Sequence, residues 1–132
     1  MSDTTTKTIH LALQGGGAHG AFTWGVLDAL LQDGRLDFAG ISGTSAGAVN
    51  AVALAHGWAQ AVADKQDPYE GAGASLARVW NQVMELGAAS ESTARLTKLM
   101  MGALPGALTR FSPYQTNPLD INPLRQLIER EI

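Results

Sequence analysis

Phe38-Ala39-Gly40-Ile41-Ser42-Gly43-Thr44-Ser45-Ala46-Gly47 is the stretch that decides the fold. It opens on a short apolar run, Phe38, Ala39 and Ile41, and closes on G-x-S-x-G with Ser45 at the centre. A long Ala-rich segment follows, read as a helix. Strand, tight turn of small residues around one serine, then helix is the setting in which this pattern means a nucleophile elbow. The glycines at Gly43 and Gly47 are needed because such a turn is strained and its backbone approaches its neighbours closely. The geometry lifts the Ser45 hydroxyl above the strand ends, at a helix N-terminus that favours developing negative charge. Taken alone, the same letters also describe a plain Gly/Ser loop.

Upstream, Lys7 to Gln14 places Ile9, Leu11 and Leu13 on alternate positions with Ala12 between them, which suits a short buried strand. Gly15-Gly16-Gly17-Ala18-His19-Gly20 comes next, then an amphipathic helix with Trp24, Leu27, Leu30 and Leu31 on one face and a stop at Gly34. Two strands joined through a helix form a right-handed parallel crossover, so the fold class is α/β.

Downstream of the elbow, the helix uses Ala46, Ala48, Ala51, Ala53 and Ala55 with Val49 and Val52, which predicts close packing against a sheet or a second helix. Asp64 to Gly73 contains a proline and two glycines and reads as an exposed loop. Ser75 then caps a helix with Leu76, Val79, Trp80, Val83 and Met84 at helical spacing, ended by Gly87. A further helix near Ser92 to Met101 repeats the pattern with Leu96, Leu99 and Met100. Four of the five prolines fall between Pro105 and Pro123, predicting an extended crossing. Asn122-Pro123 starts a last helix, with Leu124, Leu127 and Ile128 as its buried stripe.

Composition narrows the functional classes. The 132 residues are 45% hydrophobic and 16% charged, as in a folded globule. A net charge of −3 without a basic cluster argues against nucleic acid as a partner. With no cysteine there is no disulfide framework, no thiol nucleophile and no Cys-based metal site. Nothing calls for a metal or a cofactor. The polar start MSDTTTKT lacks a signal-peptide core, and the most apolar run, Ala46 to Ala63, is interrupted by Asn50, His56 and Gln60. A cytoplasmic location is the expectation, with secretion by a route lacking a cleaved signal as the alternative.

The glycine run has two readings. Gly15-x-Gly17-x-x-Gly20 fits a dinucleotide fingerprint, which requires an acidic residue near the end of the second strand. That place holds Gly43-Thr44-Ser45, and Asp37 lies at the strand's beginning. In the other reading both loops lie at the carboxyl ends of parallel strands. The N–H groups of Gly15, Gly16, Gly17 and Ala18 then form an oxyanion hole facing Ser45, where a single donor is typically worth about 10²–10³ in rate. Gly20 closes the loop.

These two loops together resemble the patatin-like phospholipases, whose signature is a G-G-G-x-[R/K]-G oxyanion loop followed by G-x-S-x-G. The segment Asn117-Pro118-Leu119-Asp120-Ile121-Asn122-Pro123-Leu124 also looks like the lead-in to the next helix in bacterial members. His19 departs from the pattern, standing where the family usually has Arg or Lys. The resemblance implies a three-layer α/β/α sandwich with a mainly parallel sheet, of which residues 1–132 are the N-terminal portion of one domain. It implies a Ser–Asp dyad without histidine, acting on phospholipid or other lipid esters. Peripheral membrane contact and a companion C-terminal half of the same domain go with that implication.

The histidines agree: His56, eleven residues beyond Ser45, would lie ~16 Å away on one continuous helix. His10 is inside the first strand, and His19 is either an accessory in proton transfer or an anchor of its own loop. In the family the dyad aspartate comes from a downstream Asp-Gly or Asp-Ala. Here no aspartate is followed by Gly or Ala in a strand-end context except Asp33-Gly34, which ends the first helix at the wrong position for the motif, and Asp120 reads as a turn residue. The expectation is therefore an aspartate beyond Ile132 or on a companion chain. Leu96 to Phe111, rich in Leu and Met around a Pro-Gly turn, is either ordinary core or a wall or lid for an acyl chain. The alternatives in other classes are a nucleotide-binding module using Gly15 to Gly20 for phosphate, and a catalytically silent lipid-binding subunit.

Overall fold

The computed structural model describes residues 6–101 and 123–131. They form β1 (Lys7–Leu13), a 3-10 turn (Gly17–His19), α1 (Gly20–Asp33), β2 (Leu36–Gly43), α2 (Ala46–Ala63), α3 (Pro68–Met101) and α4 (Pro123–Glu131). β1 and β2 pair in parallel, giving a partial α/β sandwich with a two-stranded sheet flanked by helices. The chain divides into two compact units, Met1–Trp80 with Glu131–Ile132, and Asn81–Arg130.

In the first unit the strands alternate as their sequences do. Ile9, Leu11 and Leu13 are half-buried, while Thr8, His10 and Ala12 are exposed. β1 is thus covered on one face, where its apolar residues suited a buried strand. The register shifts once: Ile9 pairs with Phe38 but His10 with Gly40, so Ala39 is an extra residue. Beyond that irregularity Leu13 pairs with Gly43, which brings the carboxyl ends of both strands level.

α1 buries Leu27 and Leu31 and ends at Gly34, whose φ of 65° is the left-handed stop expected there. On α2 the small residues form the contact they predict. A Cβ at Gly57 would lie 2.4 Å from the Gly71 carbonyl oxygen, and one at Gly71 would lie 2.4 Å from Ala61 Cβ. Backbone therefore meets backbone where α2 crosses α3, and Leu54, Ala72, Leu76 and Val79 are buried. Each such leucine or valine contributes roughly 1.5–3 kcal/mol by leaving water.

The helical reading after α2 needs correction. Asp64 to Gly73 is not one loop. The chain turns at Asp64–Gln66 and α3 begins at Pro68, with Asp67 Oδ1 accepting from the N–H groups of Tyr69 (2.8 Å) and Glu70 (3.4 Å). An Asp cap followed by Pro in the first turn starts a helix, although both residues also signal loops. Ser75 is consequently interior, at 1% exposure, and not a cap. Gly87 does not stop the helix either. The positive-φ glycines among the described residues are Gly17 and Gly34, and α3 runs unbroken to Met101. A helical glycine costs only about 1 kcal/mol relative to alanine, too little to end a helix continued by Ala88 and its neighbours.

The second unit contains the rest of α3 and α4. α4 starts at Pro123 as its sequence indicates, buries Leu127 and pairs Arg125 with Glu129 at 2.8 Å across one exposed turn. Arg130 hydrogen-bonds Gln82. The Pro-rich crossing, Asp120 and the side chains of the Leu96 to Phe111 stretch lie outside the described residues.

Candidate active site

β2 delivers Gly43, Thr44 and Ser45 to the N-terminus of α2, where Ser45 takes φ 52° and ψ −123°. A side-chain-bearing residue in that conformation is strained by about 1–3 kcal/mol and persists only where its surroundings determine it. Here they do. Gly47 N–H donates to the Thr44 carbonyl at 2.9 Å, Ala48 N–H to the Ser45 carbonyl at 2.9 Å, and Thr44 N–H to the Leu13 carbonyl at 3.2 Å. The flanking glycines make this possible. A Cβ at Gly43 would lie 2.3 Å from the Gly47 carbonyl oxygen, and one at Gly47 would lie 2.3 Å from that of Leu13. The turn is folded onto itself and onto the end of β1, and Ser45 is exposed.

The level strand ends bring the glycine loop against this turn. A Cβ at Gly15 would sit 2.7 Å from the Thr44 carbonyl oxygen and 2.9 Å from Ser45 Cβ. Gly15 N–H donates to Thr44 Oγ1 at 3.2 Å. Beyond it the chain turns through Gly17, with φ 57°, into the 3-10 turn. The N–H groups of Gly16, Gly17 and Ala18 have no partner among the described residues, whereas that of Gly15 is taken. His19 Nδ1 lies 3.1 Å from the Gly16 carbonyl oxygen. A carbonyl only accepts, so Nδ1 is the protonated nitrogen and the imidazole braces its own loop.

At the loop's other end a buried polar relay joins three helices. Asn50 Nδ2 donates to the Gly20 carbonyl at 3.0 Å, and Trp80 Nε1 donates to Asn50 Oδ1 at 2.7 Å. Asn50 is fully buried and Trp80 nearly so. Gly20 fits because a Cβ there would lie 2.7 Å from both Ala46 Cβ and the Trp80 ring. The Trp80 ring also stacks on Trp24, centroids 6.5 Å apart at 5°. Sequence reasoning passed over Asn50, counting it only as a polar interruption of an apolar run. The signal was its spacing, three residues after Gly47 and four before Leu54, which places it on the buried stripe of α2.

Among the described residues the Ser45 hydroxyl has no hydrogen-bond partner. His56 sits on α2 eleven residues from Ser45, about 16 Å at the helical rise. Asp37 is six residues before Gly43 in β2, about 20 Å at the strand rise. Its carboxylate accepts from the Tyr69 hydroxyl at 2.9 Å, and Tyr69 packs edge-on against Trp58. Burial, and then the bond to Asp37, hold the Tyr69 hydroxyl above its usual pKa. Asp37 is therefore occupied at the far end of the strand, away from the glycine loop where a ribose-binding acid would stand.

Residues 11–125 match the family described as patatin-like phospholipase. The chain belongs to that family. No curated protein and no solved structure matches it. At the level of the family this is a lipid acyl hydrolase, and the two loops that meet at Ser45, Gly15 to Gly20 and Gly43 to Gly47, both lie within the matched residues.

Proposed function

We propose that this chain supplies the nucleophile and the oxyanion hole of a serine hydrolase acting on phospholipids or other lipid esters. The observation behind the proposal is the strained Ser45, held with its Cβ against Gly15 of the glycine loop. Ser45 Oγ attacks the ester carbonyl carbon while its proton passes to a carboxylate. The carbonyl oxygen, now negative, is received by the N–H groups of Gly16, Gly17 and Ala18. Gly15, whose own donor is engaged by Thr44, anchors that loop. The positive end of α2 adds to this stabilisation. Collapse of the tetrahedral species breaks the ester C–O bond, the alcohol leaves with the proton, and an acyl-Ser45 remains. Water then repeats the sequence, giving the free acid and restoring the hydroxyl.

The proton acceptor, in this reading, is an aspartate from sequence following these residues or from a companion chain. His19 is turned to its own loop and His56 and Asp37 are too far, so none of the three relieves Ser45 of a proton. Contact with a membrane surface follows from a lipid substrate. Incubating the full-length protein with a fluorophosphonate and mapping the adduct by mass spectrometry tests the reading. The expected result is one adduct on Ser45, absent in Ser45→Ala, with ester hydrolysis lost in parallel. Folded wild-type protein without the adduct would overturn the hydrolase reading.

A further inference from the structure

Three consecutive glycines are a poor way to hold donors still. Each has more backbone freedom than any other residue, so the direction of their N–H groups must be fixed from outside. The bonds within the loop, His19 N–H and Nδ1 to the Gly16 carbonyl and Gly20 N–H to the carbonyls of Gly17 and Ala18, close it on itself. They do not refer it to Ser45. Among the described residues, only two hydrogen bonds run from the loop to the elbow or its helix. Thr44 Oγ1 accepts from Gly15 N–H at the loop's first residue, and Asn50 Nδ2 donates to the Gly20 carbonyl at its last. Both anchors belong to the segment that positions Ser45. Thr44 precedes it directly, and Asn50 lies on α2 five residues after it, held in turn by Trp80.

We propose that Thr44 and Asn50 are positioning residues that clamp the glycine loop at its two ends, setting its amides in register with Ser45. This rests on the serine-hydrolase reading above. The two ends differ in kind. The Thr44 bond is exposed, between a side chain and an amide that solvent also reaches. The Asn50 bond is buried, and its amide is oriented because Oδ1 is committed to Trp80. Oxyanion donors act through small distances, and a misplacement of about 1 Å can cost roughly 10²-fold in rate. A loosened end should therefore lower turnover and leave substrate binding alone.

The test uses full-length protein and a short-chain ester substrate. Thr44→Val keeps the shape and removes the acceptor, and Thr44→Ser keeps the acceptor. With the clamp, Thr44→Val lowers kcat about 10-fold at unchanged KM and unchanged Tm, and Thr44→Ser stays within about 2-fold of wild type. Asn50→Leu, if it folds, shows the same kcat defect per Ser45 counted by fluorophosphonate titration. If it does not fold, the Thr44 pair decides. Equal kcat for wild type and Thr44→Val, or equal defects in Thr44→Val and Thr44→Ser, would overturn the clamp while Ser45 labelling stood. A wild type that takes no label on Ser45 fails the hydrolase reading, and the clamp with it.

Discussion

α2 is bounded by two non-glycine residues with positive φ, Ser45 at 52° and Lys65 at 57°. They look alike in that one angle and differ in everything around it. Lys65 follows the helix end, where its N–H bonds the Val62 carbonyl at 3.2 Å and Gln66 N–H bonds the Ala61 carbonyl at 2.8 Å. That pair of bonds is the Schellman arrangement, which asks for a left-handed residue and most often receives glycine. Lys65 is exposed and the turn would close equally well around glycine. Ser45 has no such alternative role. Its conformation is imposed by the packing of Gly43, Gly47 and Leu13, and the hydroxyl is the product of that arrangement. Strain at the helix end is incidental; strain at the start is maintained.

The sharpest way to separate the two is to replace Ser45 by glycine. Ser45→Gly relieves the positive φ and removes the proposed nucleophile together. Hydrolysis should fall by roughly 10⁴-fold or more, as for other serine nucleophiles. Stability should rise by about 1 kcal/mol, since the strain relieved exceeds the added freedom of the unfolded chain. Urea unfolding followed by circular dichroism gives the second number, and a lower midpoint than wild type would mean that Ser45 is not strained.

Next comes the packing that imposes the strain. Gly47→Ala places a methyl group 2.3 Å from the Leu13 carbonyl oxygen, which is backbone and has no rotamer to yield. Overpacking of this kind costs about 1–3 kcal/mol. Because the displaced element is the end of β1, which leads into the glycine loop, fluorophosphonate labelling of Ser45 should slow along with the loss of stability. A destabilised Gly47→Ala that labels at the wild-type rate would show that the elbow tolerates movement of β1.

These neighbours also mark what the sequence could and could not disclose. The elbow was readable because its requirements are local: small residues at fixed offsets around Ser45, after an apolar run and before a helix. The facing of the two loops was readable because parallel strands put successive carboxyl ends side by side. Thr44 and Asn50 were not, because their partners lie 29 and 30 residues away and no local pattern distinguishes an anchoring side chain from a solvated one. α3 was misread for the opposite reason. Asp67-Pro68 and Gly87 are strong local signals, but Asp-Pro also starts helices, and one glycine is weaker than the α-helical run on either side of it. The burial of Ser75 against Gly57 is likewise a tertiary fact, set where α2 and α3 meet.

The smallest effect belongs to the other end of α2. Lys65→Gly removes a left-handed penalty of about 1–2 kcal/mol, partly offset by the roughly 0.4–1 kcal/mol that glycine adds to the freedom of the unfolded chain. A net gain of about 0.5–1 kcal/mol follows, visible as a higher urea midpoint at unchanged slope. Hydrolysis should be unaffected, because among the described residues no hydrogen bond of this turn reaches the glycine loop: its partners are Gln60, Ala61 and Val62, all on the last turns of α2. Ser45→Gly and Lys65→Gly would then stabilise by similar amounts and part completely in activity. Were Lys65→Gly to lose turnover as well, strain at the two ends of α2 would be coupled through the helix, and the distinction between maintained and incidental strain would collapse.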